Sequence, residues 1–447
     1  MNIETMIIPA ILIFYAVVVV AIGFLDSRHV KGFDDYVFAG RNRGLLMVTS
    51  STLASIVGAS ATIGMVNLAY ASGFPSFWWL GSGAVGLVAG SLLVAKNIYN
   101  LKAYTLADIV DKLLGPWTRR AVSVLIIAAW AGIVAAQYVA AGQLISLLCG
   151  LPYLAAMLLT AGFITIYCAM GGQASVLKTD FIQLLFIVAG LGIALWALYG
   201  KTGLPAGGLK FELVNEEFPA SMVWYMMLIV GSSFVIGPDI FGRLFTARSA
   251  TVARRSMFIS GLLLTVVSFG IVMIGLWAKD FAAIPSGERN NVLPWLMMNA
   301  MSKPLGVVLA MGLLSALISS ADTCTITAAT TFEHDLRGGS SVAGTRMATI
   351  AVSIVAVCLA WKNPGIIHTL LVAYSIFNCG VFPALLFAIV FYRKVRLNPV
   401  FATAGIIAGG VLGGVSGMTQ RPGLAIYAMA GSAIFALFAL YKGRRVG

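Results

Sequence analysis

The chain is 447 residues long, 60% hydrophobic and only 10% charged, with a mean hydropathy of +0.95. A soluble protein carries about a quarter of its residues as Asp, Glu, Lys and Arg, so this composition excludes a soluble domain and points to an all-α, polytopic membrane protein. The net charge of +13 does not signal nucleic acid, because the basic residues punctuate apolar segments instead of forming one patch. The five cysteines (Cys149, Cys168, Cys324, Cys358, Cys379) and three histidines (His29, His334, His368) are scattered, with no zinc-like spacing.

Thirteen membrane spans are expected, at 6–25, 45–72, 75–97, 119–149, 152–170, 174–199, 220–247, 252–278, 304–335, 342–361, 364–393, 398–418 and 422–442. The first follows "MNIE", has no basic leader and runs for about twenty residues, so it reads as a span and not as a cleavable signal. The second contains the stretch "IVGASATIG" (Ile56 to Gly64), a small, polar, helix-weakening patch inside an apolar run. After the third span, "TLADIVDKLLGPWTRR" (Thr105 to Arg120) is amphipathic and is expected at the membrane surface. Asp180 stands near the start of the sixth span, with Lys178 or a nearby arginine as its simplest partner. The seventh span carries "IVGSSFVIG" (Ile229 to Gly237), which matches the first patch at six of nine letters. Asp239 follows it, four residues before Arg243, a spacing that permits a helical ion pair. The longer connections at 200–219 and 279–303 have room for short helices.

In the ninth span Ala316, Ser319 and Ser320 fall at i, i+3 and i+4 and share one helical face. Two hydroxyls beside a carbonyl form a set of neutral oxygens for which a hard monovalent cation can exchange water, and a broken helix supplies further carbonyls. Serines at this spacing also back-bond to their own helix, and spacing alone does not choose between the two. Asp322 lies in the same span; Glu333 and Asp335 close it and read as solvated helix-end residues.

The charge pattern orients the chain. With the N-terminus outside, only Lys201, Lys210, Lys279, Arg289, Lys303, Lys362 and Arg421 fall on the outer side, and the rest of the 29 lysines and arginines lie on the cytoplasmic side or at helix ends facing it. Thirteen spans then leave the C-terminus cytoplasmic, as expected for a multi-pass protein of the cell (inner) membrane. The two patches lie five spans apart, an odd offset that places the units in opposite orientations. Interrupted segments at corresponding positions of two halves are the sequence pointer to a transporter's binding site, and broken backbone at membrane depth survives only where protein or a cavity covers it.

Four motifs in consistent order carry a resemblance: "FDDYVFAGRNRG" (from Phe33), "YCAMGGQASVLKTDFIQ" (from Tyr167), "GPDIFGRLFTARSATVARR" (from Gly237) and "LLSALISSADTCTITAATTFEHDL" (from Leu313). Over roughly residues 5–395 the chain resembles the sodium:solute symporter family. The resemblance implies the LeuT-type fold: a single transmembrane domain over 1–447, with inverted five-helix repeats at 45–199 and 220–393, one extra N-terminal helix and two extra C-terminal helices. It places the Ala54 and Val57 carbonyls, the Ala316 carbonyl and the Ser319 and Ser320 hydroxyls at a sodium site. Asp180 then takes the family's sodium-coupling aspartate position, with a second sodium ion as an option in some members.

The fold implies a solute site beside the first patch, with Ser55, Ser60, Thr62, Asn67, Gln137, Ser233 and Phe234 as candidate contacts and Trp79 (or Trp78) as an outer aromatic wall. Inward-pointing half-helix N-termini favour a small carboxylate or an amino acid. The expected activity is therefore sodium-coupled symport of a small organic solute by alternating access, with sodium and solute as partners inside a lipid bilayer, no nucleic acid, no enzyme chemistry, and a monomer sufficient. The alternatives are a proton-coupled carrier of the same fold using Asp180 or Asp239, a channel, and a non-transporting solute sensor. A sensor is expected to carry a signalling domain after its last span.

Overall fold

The computed structural model describes residues 3–203, 210–280, 284–285, 287, 289, 291–362 and 365–445. Almost all of it is helix. A single pair of two-residue strands, Val395–Arg396 and Arg444–Arg445, zips the C-terminal tail antiparallel against the loop after the eleventh span.

Among the described residues eleven helices are long and apolar enough to cross a membrane, or twelve when the bent pair Leu45–Ile56 and Ser60–Ser72 counts as one span. One of these, Tyr153–Thr202, has 50 residues, about 75 Å if straight, more than twice the roughly 30 Å hydrocarbon core. It is not straight. Gly172 takes φ 60, ψ −160, a conformation open only to glycine. Tyr167 and Thr179 then share a hydroxyl hydrogen bond across twelve residues, which a continuous helix would hold about 18 Å apart. The chain folds back at Gly172, and the expected intervals 152–170 and 174–199 are both helical. The Tyr36 ring fills the space where a Cβ on Gly172 would sit, and its hydroxyl donates to the Cys168 carbonyl at 2.9 Å.

Burial sorts the spans. Only 22% of the first span's apolar window is buried, against 78% for Pro116–Cys149 and for Lys303–Leu336. The first span therefore skirts the bundle, showing Ile13, Phe14 and Val17 to lipid, and the other two run through its centre. Lipid tails are as apolar as Leu, so helix association relies on close approach and interhelical hydrogen bonds. Between Ile366–Phe391 and Pro399–Thr419, a Cβ on Gly380 would meet the Ile406 carbonyl at 2.6 Å.

Two expectations about the connections change. Leu106–Leu114 is amphipathic, but Leu106, Ile109 and Val110 are fully buried, so it docks on protein and not on lipid headgroups; Thr105 caps it by accepting from the Asp108 N–H at 2.9 Å. Of the two long connections, 279–303 contains a short helix, Val292–Asn299. In the other, 210–219 is non-helical and 204–209 lies outside the described residues.

Candidate ion and solute site

The second span breaks at its small-residue patch. The helix Leu45–Ile56 ends at Val57 (φ −81, ψ 71), a π turn spans Ser60–Gly64, and the two halves bend by 63°. A helix end leaves its last four carbonyls without helical partners. Here Leu53 accepts from the Val57 N–H at 3.1 Å and Ile56 from the Gly58 N–H at 2.9 Å. Ser55 accepts from the Ser320 hydroxyl at 2.8 Å. That leaves Ala54, joined by Val57 within the break: among the described residues no backbone N–H donates to either carbonyl, although both residues are fully buried. A buried carbonyl without a donor is costly, and a cation satisfies it.

The ninth span faces this break. Ser320 reaches the Ser55 carbonyl, and Ser319 donates to Asp180 Oδ1 at 2.5 Å. A hydroxyl whose proton is committed elsewhere keeps its lone pairs for a cation. Ala316 lies on the same face, fully buried.

Asp180 is the hub of the layer beside the break. It is fully buried and accepts from Ser51 of the second span, Ser319 of the ninth, and Arg243 Nη2 of the seventh at 3.1 Å. Arg243 also bonds Thr323, whose hydroxyl returns to the Ser319 carbonyl at 2.7 Å. Four spans meet in one network. Breaking such a buried pair from one side costs about 3–5 kcal/mol.

This geometry corrects three readings. Arg243 pairs with Asp180 and not with Asp239, because its long side chain leaves its own helix to neutralise a carboxylate with no water. Asp180 does not pair with Lys178, which meets Asp26 instead at 2.5 Å. Glu333 and Asp335 are buried: Asp335 holds Arg119 at 2.9 Å and the Thr105 hydroxyl at 2.7 Å, while Glu333 holds Arg337 at 3.3 Å.

The seventh span breaks differently from the second. After a π turn at Met227–Gly231 it stays helical to Ile236, leaves the helix at Gly237 (φ −58, ψ 130), and restarts at Pro238. Letter for letter, Gly237 matches Gly64 and not the break at 57–59. The two nonapeptides are alike in helix-weakening composition, not in where they break. Asn378 braces the seventh span by donating to the Ile229 carbonyl at 2.8 Å and to Ser233 Oγ at 2.5 Å.

Between the two breaks lies a narrow cavity of about 30 Å³. Of the expected solute contacts, Ser55, Ser60, Gln137, Ser233 and Phe234 line it, and so does Ser320. Thr62, Asn67 and Trp79 do not. Thr62 back-bonds to the Gly58 carbonyl at 2.9 Å, Asn67 accepts from the Val292 N–H at 3.0 Å, and Trp79 is packed in the core at 2% exposure. Trp130, Tyr374, Cys324 and Asp239 also line it. Asp239 stood out in the sequence as an ion-pair candidate and as a titrating group of the proton-coupled alternative, not as a solute contact; lone aromatics such as Trp130 and Tyr374 in apolar runs carry no signal separating cavity wall from core.

Comparisons with known proteins agree with this architecture. The profile described as "SSF: Sodium:solute symporter family" matches residues 36–413. A Bacillus subtilis (strain 168) protein named "Uncharacterized symporter YwcA" is 24% identical, over 95% of this chain and 88% of that one. Among solved structures, a sodium-coupled sialic acid symporter in a substrate-bound outward-open state superposes with a TM-score of 0.80, at 15% identity, over 98% of this chain and 99% of that one. MhsT in complex with L-phenylalanine gives 0.60 at 16% identity, over 88% and 98%. At these identities the structural likeness speaks for the fold.

Proposed function

Because the chain belongs to the sodium:solute symporter family, whose members are transporters and not enzymes, we propose that it carries a small organic solute into the cell with sodium by alternating access. The observation that carries the proposal is the pair of donor-less carbonyls, Ala54 and Val57, opposite the Ser319 and Ser320 hydroxyls. Together with the Ala316 carbonyl they form a neutral oxygen set suited to sodium, and all five come from the two spans whose separation would open the site. Spans two to six (45–199) and seven to eleven (220–393) act as the inverted repeats, the N-terminus lies outside, and the Arg119–Asp335 end of the bundle faces the cytoplasm. A monomer contains the whole pathway.

Sodium binding across that joint stabilises one arrangement of the repeats over the other, and this differential affinity couples ion to solute. The network around Asp180 sits one hydrogen bond from the site through Ser319, so losing the ion and loosening the Ser51–Arg243–Thr323 cluster are linked steps. Arg243 already supplies a positive charge at Asp180, which favours one sodium ion per cycle over two. A tenfold sodium gradient contributes about 1.4 kcal/mol and 100 mV about 2.3 more per charge. One sodium therefore sustains roughly 500-fold accumulation of a neutral solute.

A proton-coupled reading has one observation in its favour: Asp322 is fully buried and its Oδ2 has no hydrogen-bond partner among the described residues, as a carboxyl awaiting a proton would be. Uptake into proteoliposomes under separate sodium and pH gradients divides the two. Sodium symport predicts uptake that needs sodium, persists without a pH gradient, and requires more sodium in Ser319→Ala and Ser320→Ala. Both variants keeping wild-type sodium dependence would show that the ion binds elsewhere.

A further inference from the structure

The central cavity holds a carboxylate that the transport reading leaves unused. Asp239 lines the space between the two breaks and is half-buried. Among the described residues it makes no salt bridge, because Arg243, one turn further on, is spent on Asp180. No other ionised side chain lines this cavity: its other polar walls are hydroxyls, the Gln137 carboxamide, the Cys324 thiol and the Trp130 indole.

The two half-helix N-termini would otherwise attract an anion, but each already faces a protein oxygen. The Ala59 N–H of the second span donates to Gln137 Oε1 at 2.9 Å. The helix Pro238–Thr246 carries Asp239 in its own first turn, where a carboxylate offsets the positive end of the dipole. Among the side chains lining the cavity Asp239 is thus the one that carries a charge, and a simple carboxylate would enter against its repulsion. Trp130, Phe234 and Tyr374 line the same space, and aromatic faces attract a desolvated organic cation.

We propose that the transported solute bears a cationic nitrogen, a primary or quaternary ammonium, and that Asp239 is its anchor. Of the two solute classes favoured by the sequence, this keeps the amino acid and removes the plain carboxylate. Ser60 and Ser233 remain for a polar group at the solute's other end. The inference rests on the transport reading only in taking this cavity as the solute site.

The test uses purified full-length protein and pairs of solutes that differ by one charge: choline against 3,3-dimethylbutan-1-ol, glycine betaine against 3,3-dimethylbutanoate, and alanine against lactate. Melting shifts are measured in sodium and in potassium. At least one ammonium member is expected to stabilise the wild type while its partner does not. Asp239→Asn should weaken that binding at least about 30-fold, Asp239→Glu should restore part of it, and both should keep the shift caused by sodium alone, which reports an intact fold. Stabilisation by lactate or either neutral or anionic isostere over its ammonium partner, or ammonium binding unchanged in Asp239→Asn, overturns the proposal. Ammonium binding that depends on Asp239 but is the same in potassium supports the anchor and sinks sodium coupling, so the two readings fail separately.

Discussion

Gly58 is the tightest point of the joint on which sodium coupling depends. A Cβ built there collides with the Ser320 hydroxyl and lies 2.8 Å from Ser320 Cβ and 2.9 Å from Gln137 Oε1. Ordinary carbon contacts need about 3.5–4.0 Å, so Gly58→Ala must push the ninth span or the fourth away by close to an ångström. Ser320 would leave the Ser55 carbonyl, and Gln137 the Ala59 N–H. Overpacking of this kind costs about 1–3 kcal/mol. If the second and ninth spans close around the ion, as the proposed function has it, the cost falls mainly on the sodium-bound state. At 1.4 kcal/mol per tenfold, the sodium concentration for half-maximal uptake should rise roughly 5- to 150-fold. The assay is initial uptake into proteoliposomes across a sodium titration, with the melting temperature in potassium as a measure of folding without the ion. A Gly58→Ala protein that folds and keeps the wild-type sodium titration would falsify the idea that these two spans close on the ion.

Arg243→Gln strands the Asp180 carboxylate in the core and should cost about 3–5 kcal/mol of stability, seen as a lower melting temperature; adding Asp180→Asn should recover most of that loss, since the second change removes the uncompensated charge. Asn378→Ala deletes the brace on the seventh span and should cost about 0.6–1.7 kcal/mol, raising the solute KM severalfold with a smaller change in sodium dependence; an equal effect on both would mean that the brace serves the ion. Arg119→Gln releases Asp335, Asp111 at 3.1 Å and the His334 carbonyl at 2.9 Å, a clasp at the end of the bundle assigned to the cytoplasm. The cavity thiol of Cys324 should then react faster with a bulky thiol reagent applied from that side, and unchanged labelling would remove the clasp from the gating path.

The sequence alone determined what depends on local composition and repeat distance. The membrane class, the all-helical architecture and the weak points of the second and seventh spans follow from where apolar residues run on and where small residues interrupt them, because in a bilayer each span must satisfy its own backbone. The i, i+3, i+4 face of Ala316, Ser319 and Ser320 was equally legible, being set within one helix. Tertiary structure alone decided the partners. Arg243 sits four residues from Asp239, yet bonds a carboxylate 63 positions away, because the deepest charge, not the nearest in sequence, has most to gain from neutralisation. That choice leaves Asp239 in the cavity wall without a salt bridge among the described residues. Likewise the seventh span breaks at Gly237, the counterpart of Gly64 and not of the break at 57–59, and Thr62, Asn67 and Trp79 turned away from the solute space. Which side chain meets which across a bundle depends on the rotation and depth of every helix around it, and no short stretch of chain carries that information.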